Sequence, residues 1–484
     1  MDLKLEFTHM NYLAQQPGGL TDTQFGQDPT LSTRFRNWFQ VGWNSGAVNF
    51  NYRINSKIKI NNRTFFLKAN RYSLGDLGTA IVLNQNRTLI KDDFTNWGNE
   101  FRLSYNYDFI GNKSVLLIGN RYYQGFTDSS QGDGTSESNA DFDYVGGNPS
   151  LSDYDFPSRN VSVFAENIFN ISDKFSITPG LRYEFIRTEA DGSFTNQVRN
   201  FAGEVIFEET TFEQREDQRD FLLYGLGLSY KLDEEKEVYL NYSRNYRGIN
   251  FTDIRVDIPF LVVDPDISDE SGFNLDLGIR GSKKDSYLYD LSLFYLSYED
   301  RIGNTLVRTD TTLRTFTYRT NIGDAAIVGF ESYAEVHVPS SPFIVFTNFA
   351  WIVSEYTKIL EFGTSLGDLV KGNNVELVPA INLKTGLKYQ GDKLKGSLLF
   401  SYVSSQFSDA ANTKETNTGI EGRIPAYKIL DLSLTYPWKN ITFGTGINNL
   451  LDEQYFSRRA AGYPGPGLIP SQPRSIYLSV EARF

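Results

Sequence analysis

Cysteine is absent from all 484 residues, which excludes thiolate nucleophiles, thiolate metal ligands and disulfide staples. Histidine occurs only as His9 and His337, which the strand pattern below places at different levels of the wall. Two such distant imidazoles give no metal site, and no catalytic triad has a histidine to use. Long apolar runs are missing as well. Phe260-Leu-Val-Val263 and Phe343-Ile-Val-Phe346 fall far short of the roughly 20 residues a spanning helix needs, and mean hydropathy is -0.37. Positive charge is in deficit, with 47 basic against 59 acidic residues and a net charge of -12, which argues against a nucleic-acid partner.

What the chain has is alternation. Ile476, Leu478, Val480, Ala482 and Phe484 form one apolar row at the C-terminus, while Arg474, Ser475, Ser479, Glu481 and Arg483 lie among the residues between them. Phe273, Leu275, Leu277 and Ile279 repeat the pattern against Asn274, Asp276 and Arg280. So do Ile381, Leu383, Thr385, Leu387 and Tyr389 against Asn382, Lys384 and Lys388. Further rows are Tyr287 to Tyr295, Gly396 to Tyr402 and Leu430 to Tyr436. A period of two is the signature of strands with one apolar and one wet face. Charged residues facing a wide interior fit a water-filled lumen better than the inner faces of a sandwich.

Connection lengths sharpen this. Tight turns such as Asn55-Ser-Lys57, Ile110-Gly-Asn-Lys113, Ser282-Lys-Lys-Asp285 and Gln390-Gly-Asp392 alternate with polar stretches. These stretches, expected as loops, lie at about 10–33, 73–96, 125–157, 189–217, 248–268, 304–317, 357–376, 406–424 and 450–473. Short turns on one rim and long loops on the other predict a transmembrane antiparallel β-barrel of about 18 strands, opening with Asp2–His9. An aromatic share of 15%, mostly 37 Phe and 29 Tyr, suits two interfacial girdles. One barrel domain accounts for residues 1–484. Met1 precedes a strand with no signal-peptide pattern, so the chain is expected to be a truncated coding sequence with Met1 an internal start.

Catalytic motifs are weak. Gly363-Thr-Ser-Leu-Gly367 matches the nucleophile-elbow spacing but lies in an expected loop, and Gly462-Tyr-Pro-Gly-Pro-Gly467 has no helix after it to cradle a phosphate. The chain is expected to be no enzyme and to need no cofactor. An acidic loop, with Asp128, Asp133, Glu137, Asp141, Asp143, Asp153 and Asp155, is either a solvated surface or a place for cations that bridge to lipopolysaccharide.

Asn448-Asn-Leu-Leu-Asp-Glu-Gln-Tyr455, Gln472-Pro-Arg474 and the terminal strand together resemble the C-terminal signature of TonB-dependent outer-membrane receptors. Tyr12-Leu-Ala-Gln-Gln-Pro-Gly-Gly-Leu-Thr-Asp22, Asp28-Pro29 and Arg34-Phe-Arg-Asn-Trp-Phe39 are similar to the early barrel of the ferric dicitrate receptor branch. The resemblance implies a 22-stranded barrel around a plug, TonB as partner through an N-terminal region, and uptake of an anionic ferric chelate in a Gram-negative outer membrane. It further implies contact with outer-membrane lipid and lipopolysaccharide, and a monomer. Relative to that pattern the expected strands fall four short, the plug and TonB box are expected to be missing, and Asp2–His9 is expected to meet the last strand as a poorly matched edge.

Given such a ligand, the candidate binding residues are Arg71, Arg121, Tyr122, Tyr123, Gln124, Arg244, Arg247, Arg458 and Arg459. Guanidinium forks pair with carboxylates, and the tyrosines and amide supply a small-ligand pocket. The same arginines serve equally to neutralise loop carboxylates or lipid phosphates. Alternation alone leaves the face of Arg121 open. Phe484 is the expected assembly signal. A passive porin-like channel is the alternative function, and an outer-membrane enzyme a distant third.

Overall fold

A computed structural model describes residues 1–76, 85–199, 205–254, 261–308, 315–359, 371–460 and 465–483. The alternating rows fold as strands, and each strand pairs with its neighbour in sequence. The first nine are β1 (Asp2–Gln15), β2 (Trp38–Arg53), β3 (Ile58–Gly75), β4 (Thr88–Phe109), β5 (Asn112–Asp133), β6 (Ser152–Asn170), β7 (Phe175–Arg199), β8 (Val205–Lys231) and β9 (Lys236–Arg247). The meander continues through Glu270–Lys283, Tyr287–Arg308, Thr315–His337, Phe343–Ile359, Ile381–Gln390, Lys395–Val403, Tyr427–Trp438, Ile441–Asn448 and Ser475–Ala482. Among the described residues the sheet has nineteen strands, and only Leu261–Val263 joins it in parallel, beside Thr317–Arg319. The other eighteen form one antiparallel meander, as the sequence predicts.

Tight turns set the register. Between β4 and β5 both Ile110 (φ 50°) and Gly111 (φ 80°) are left-handed, the two-residue turn whose twist matches a hairpin. Register then lines the apolar rows up from strand to strand. Leu277, Leu293, Phe330 and Trp351 sit side by side across four strands, and Leu432, Ile447 and Ile476 across three more. Leu293 is 58% exposed and Leu478 82%, so this face meets no second sheet. It is the lipid face, and rings at the turn end, such as Tyr105 with Tyr107 and Trp438 with Phe443, contribute to an interfacial girdle. No helix among the described residues is long and apolar enough to cross a membrane.

Strands are longer and loops shorter than the sequence suggests. β1 runs to Gln15 rather than His9, and much of the expected 189–217 loop is the top of the β7–β8 hairpin, paired from Glu189 opposite Glu216 up to Val198 opposite Phe207. The stretches at 73–96, 125–157 and 304–317 are likewise strand at both ends. Above the membrane both faces of a strand are wet, so side-chain alternation stops while the backbone ladder continues. Remaining loop segments make small cores of their own. Leu20, Ile424, Phe456 and Leu468 form one, and Tyr154, Phe156, Ala190, Ile249, Ile254 and Ile267 another.

β1 and Ser475–Ala482 are the two edges of the sheet, and among the described residues no ladder joins them. Their loops do meet. Leu20 and Leu468 exchange two backbone hydrogen bonds, Leu20 N to Leu468 O at 2.9 Å and Leu468 N to Leu20 O at 2.8 Å. Phe484, Ser365 with its surrounding motif, and Gly462 to Pro464 lie outside the described residues.

Candidate functional site: the charged inner wall

Cross-strand partners share a face, so register assigns what alternation left open. Arg121 pairs with Glu100 on β4, and Glu100 with Arg63 on β3, while Leu103 and Ile118 pair on the opposite, lipid side. Arg121 and Tyr123 therefore face inward. Tyr122 and Gln124, opposite Asn99 and Trp97, face outward, where Tyr122 donates to Gln124 Oε1 at 3.0 Å. The expected cluster of four is split between the two faces of one strand.

On the inner side the wall of β1 to β5 gathers Lys4, Glu6, Arg63, Glu100, Arg102 and Arg121. Arg63 Nη2 lies 3.8 Å from Glu6 Oε2, Arg121 Nη1 4.0 Å from Glu100 Oε2, and Arg102 also pairs with Glu100. Lys4 takes the other oxygen of Glu6. Four cations thus share two carboxylates. Phe65 packs beneath, with Arg121 5.7 Å above its ring and Tyr123 stacked at 6.4 Å. The hollow over this wall has a volume of about 780 Å³, and Asn49, Asn61 and Asn96 line it as well. Its chemistry suits an anion that carries its own oxygen ligands, because guanidinium forks with residual donors face water rather than a closed ion pair. Arg63 and Arg102 were not among the expected residues. Their parity with Phe65 and Glu100 carries the signal only once the hairpin turns fix the register.

The other candidates are distributed. Arg71 donates to Asp92 Oδ2 from Nε at 3.1 Å and Nη2 at 2.6 Å, and Ser129 Oγ donates to Asp92 Oδ1 at 2.6 Å. Arg247 bridges Asp253 at 2.6 Å and Glu270 at 3.1 Å, tying the loop after β9 to the next strand. Arg244 pairs in register with Phe273 on the outer face, and Arg458 is exposed beside Ile469. Arg459 is a buried clamp. Its Nη2 reaches Asp22 Oδ1 at 2.6 Å and the Arg423 carbonyl at 2.8 Å, and its Nη1 reaches Asp22 Oδ2 at 2.8 Å and the Gly419 carbonyl at 3.1 Å.

A further buried arginine, Arg87, collects the carbonyls of Thr135 (2.9 Å), Arg36 (3.0 Å) and Asn139 (2.7 Å) and so holds three loops together. Burial, with Arg36 nearby, lowers its pKa from the ordinary arginine value. Nothing about its sequence neighbourhood marks it, since all these partners are distant in the chain. In the acidic stretch, Asp128 lies between Asp93 and Asp155 in register, and Asp155 is followed by Asp191, so four exposed carboxylates form one row across β4 to β7.

Known proteins share this architecture. The family described as TonB dependent receptor-like, beta-barrel matches residues 2–450. A probable TonB-dependent siderophore receptor, PiuA of Acinetobacter baumannii, is 22% identical over 345 residues, covering 69% of this chain and 42% of the relative. The ferrienterobactin receptor of Escherichia coli K12 is 23% identical over 348 residues, with 67% and 42% covered. The chain thus spans about two-fifths of the curated relatives it matches. Among solved structures, the unliganded ferric citrate transporter FecA superposes with a TM-score of 0.76 at 20% identity, over 98% of this chain and 67% of that one. The likeness carries the barrel fold, and the family is one of outer-membrane receptors and transporters rather than of enzymes. This chain belongs to the TonB-dependent receptor β-barrel family of the Gram-negative outer membrane.

Proposed function

We propose that residues 1–484 are the barrel domain of a receptor that takes up an anionic ferric chelate, of the ferric citrate kind, with TonB supplying the energy in the complete protein. The observation that carries this is the cluster of cations on the inner wall of β1 to β5, where the ion pairs of Lys4, Arg63, Arg102 and Arg121 among the described residues go to two carboxylates, Glu6 and Glu100. A ferric citrate complex is small, anionic and rimmed with carboxylates, so it exchanges water for guanidinium without needing an apolar pocket. The relatives named as siderophore and ferrienterobactin receptors support the ferric-chelate class, and FecA supports citrate within it. Arg71 and Arg247, each with a carboxylate already in place, are assigned a supporting role in shaping the mouth.

Growth on iron-limited medium with single chelates tests the proposal, using the complete gene. Growth on ferric citrate that is lost in an Arg102→Gln/Arg121→Gln variant is the expected result. Growth on a neutral or catecholate chelate alone, unaffected by those substitutions, would overturn the citrate assignment.

A further inference from the structure

β8 is the longest strand of the sheet among the described residues, and its two sides are treated differently. Toward β7 it is laddered from Val205 to Tyr230, but toward β9 only from Gly225 to Lys231. Arg219 closes the lower part of this gap, held by Asp269 Oδ2 at 3.2 Å and facing the Ile249 carbonyl at 3.5 Å. Above it, from Val205 to Gln218, no strand among the described residues pairs with the second side. Along this stretch, alternate N–H and C=O groups have no ladder partner on that side among the described residues.

Natural edges are commonly blunted by proline, charged side chains or a bulge. This one has a bulge only at its tip, where Ile206 is skipped between the Val198–Phe207 and Arg199–Val205 pairs. Val205-Ile-Phe-Glu-Glu-Thr-Thr-Phe-Glu-Gln-Arg-Glu-Asp-Gln218 contains no proline, glycine or lysine, and it is rich in strand-forming Val205, Ile206, Phe207, Thr210, Thr211 and Phe212. Phe212 is 83% exposed and Ile206 65%, so the ribbon offers apolar contacts beside its backbone groups. What protects it from its own kind is charge. Glu208, Glu209, Glu213, Glu216 and Asp217 outnumber the single Arg215, and they occupy both faces of the strand. A second copy pairing here would set carboxylates opposite carboxylates, which disfavours self-association.

We propose that the outer edge Val205–Gln218 of β8 captures a basic, extended polypeptide segment, which adds as a further strand beside β8. Backbone hydrogen bonds supply the docking geometry and lysines or arginines answer the carboxylates on both faces. This is a second recognition surface, separate from the inner wall, and it selects polycationic chains rather than chelates.

The test uses the purified full chain in detergent and a fluorescent dodecapeptide of lysine, valine and threonine. Two control peptides accompany it, one with glutamate for lysine and one with the same charge but two adjacent central residues N-methylated, so that both edges lose a donor. Anisotropy is expected to show saturable binding of the basic peptide, at least tenfold weaker for each control and for a Glu208→Lys/Glu209→Lys variant. Those two positions lie on the exposed hairpin, and retention of heat-modifiable gel migration would confirm that the variant barrel is folded. Isotope-edited infrared spectra of the labelled peptide should show it entering β-structure on binding. Equal binding of the N-methylated peptide would reduce the effect to charge adsorption and overturn the proposal. So would unchanged binding by the charge-reversed variant, or concentration-dependent pairing of the chain with itself through this edge.

Discussion

Arg459 and Asp22 lie 437 residues apart and form a two-pronged ion pair, with Nη2 donating to Oδ1 at 2.6 Å and Nη1 to Oδ2 at 2.8 Å. Arg459 has a side chain only 2% exposed, and it stacks 5.0 Å over Phe456. Asp22 opens helix α1 (Asp22–Gln27), where Thr21 caps the Gln24 N–H. The pair thus fastens a loop from the first hairpin to two loops near the other end of the sheet.

Replacing Arg459 by alanine leaves the carbonyls of Gly419 and Arg423 without that donor and frees Asp22 to water. Because Asp22 is half exposed, the expected loss is about 1–3 kcal/mol of local stability. It should appear as faster proteolytic cleavage within 404–426, with little change in global unfolding. Arg459→Lys keeps the charge but not the fork, and should recover less than half of the protection.

The inner wall predicts ion selectivity. If the barrel is inserted in a planar bilayer, Arg102→Gln/Arg121→Gln should shift the reversal potential in a potassium chloride gradient toward cation preference. A Tyr122→Phe change on the outer face should leave it where it was. The contrast distinguishes a lumen effect from a general loss of charge.

The apolar rows predict an asymmetry between adjacent residues. Leu293 faces lipid between Leu277 and Phe330, whereas Ser292 faces inward opposite Glu331. Leu293→Arg should destabilise the folded barrel by about 2–4 kcal/mol in reversible unfolding from lipid vesicles, if the site lies near the midplane. Ser292→Arg, which gains Glu331 as a partner, should cost less than about 1 kcal/mol by the same measure.

Acidity should tighten the loop around Glu421. Burial, reinforced by Asp409, raises its carboxyl above the ordinary value of 4.5. A raised folded-state value means the folded loop holds the proton more tightly than the unfolded one. That contribution is complete below the unfolded pKa and is lost as pH rises through the folded value. Protection of the Gly422 N–H, which donates to Ser408 Oγ at 3.0 Å, should therefore increase, after correction for intrinsic exchange, as pH falls from neutrality. Glu421→Gln should flatten this dependence.

The barrel strands were legible because lipid on one side and water on the other impose a period of two over each membrane-spanning segment. Tyr287 to Tyr295 and Ile381 to Tyr389 show this directly, and both rows fall on the lipid face. Strand ends were not legible, since in β7 and β8 above Glu189 and Glu216 the ladder runs through water with polar residues on both faces. Partnerships were harder still. Alternation could not decide between the two faces for Arg121, and only its register with Glu100 does so. The sequence marks Arg459 as a ligand candidate rather than a clamp, and does not mark Arg87 at all, because the atoms they hold come from distant hairpins.

A meander in which every long strand pairs with its chain neighbours behaves like a zip under load. Tension applied at the C-terminal end would draw on Ser475–Ala482, laddered on one side to Ile441–Asn448, before it reached any other strand. The clasp between Arg459 and Asp22, with the Leu20–Leu468 backbone pair beside it, lies across that route and resists as a distinct first event. Extraction from the membrane would then proceed hairpin by hairpin, giving a force trace of a rim rupture followed by a staircase.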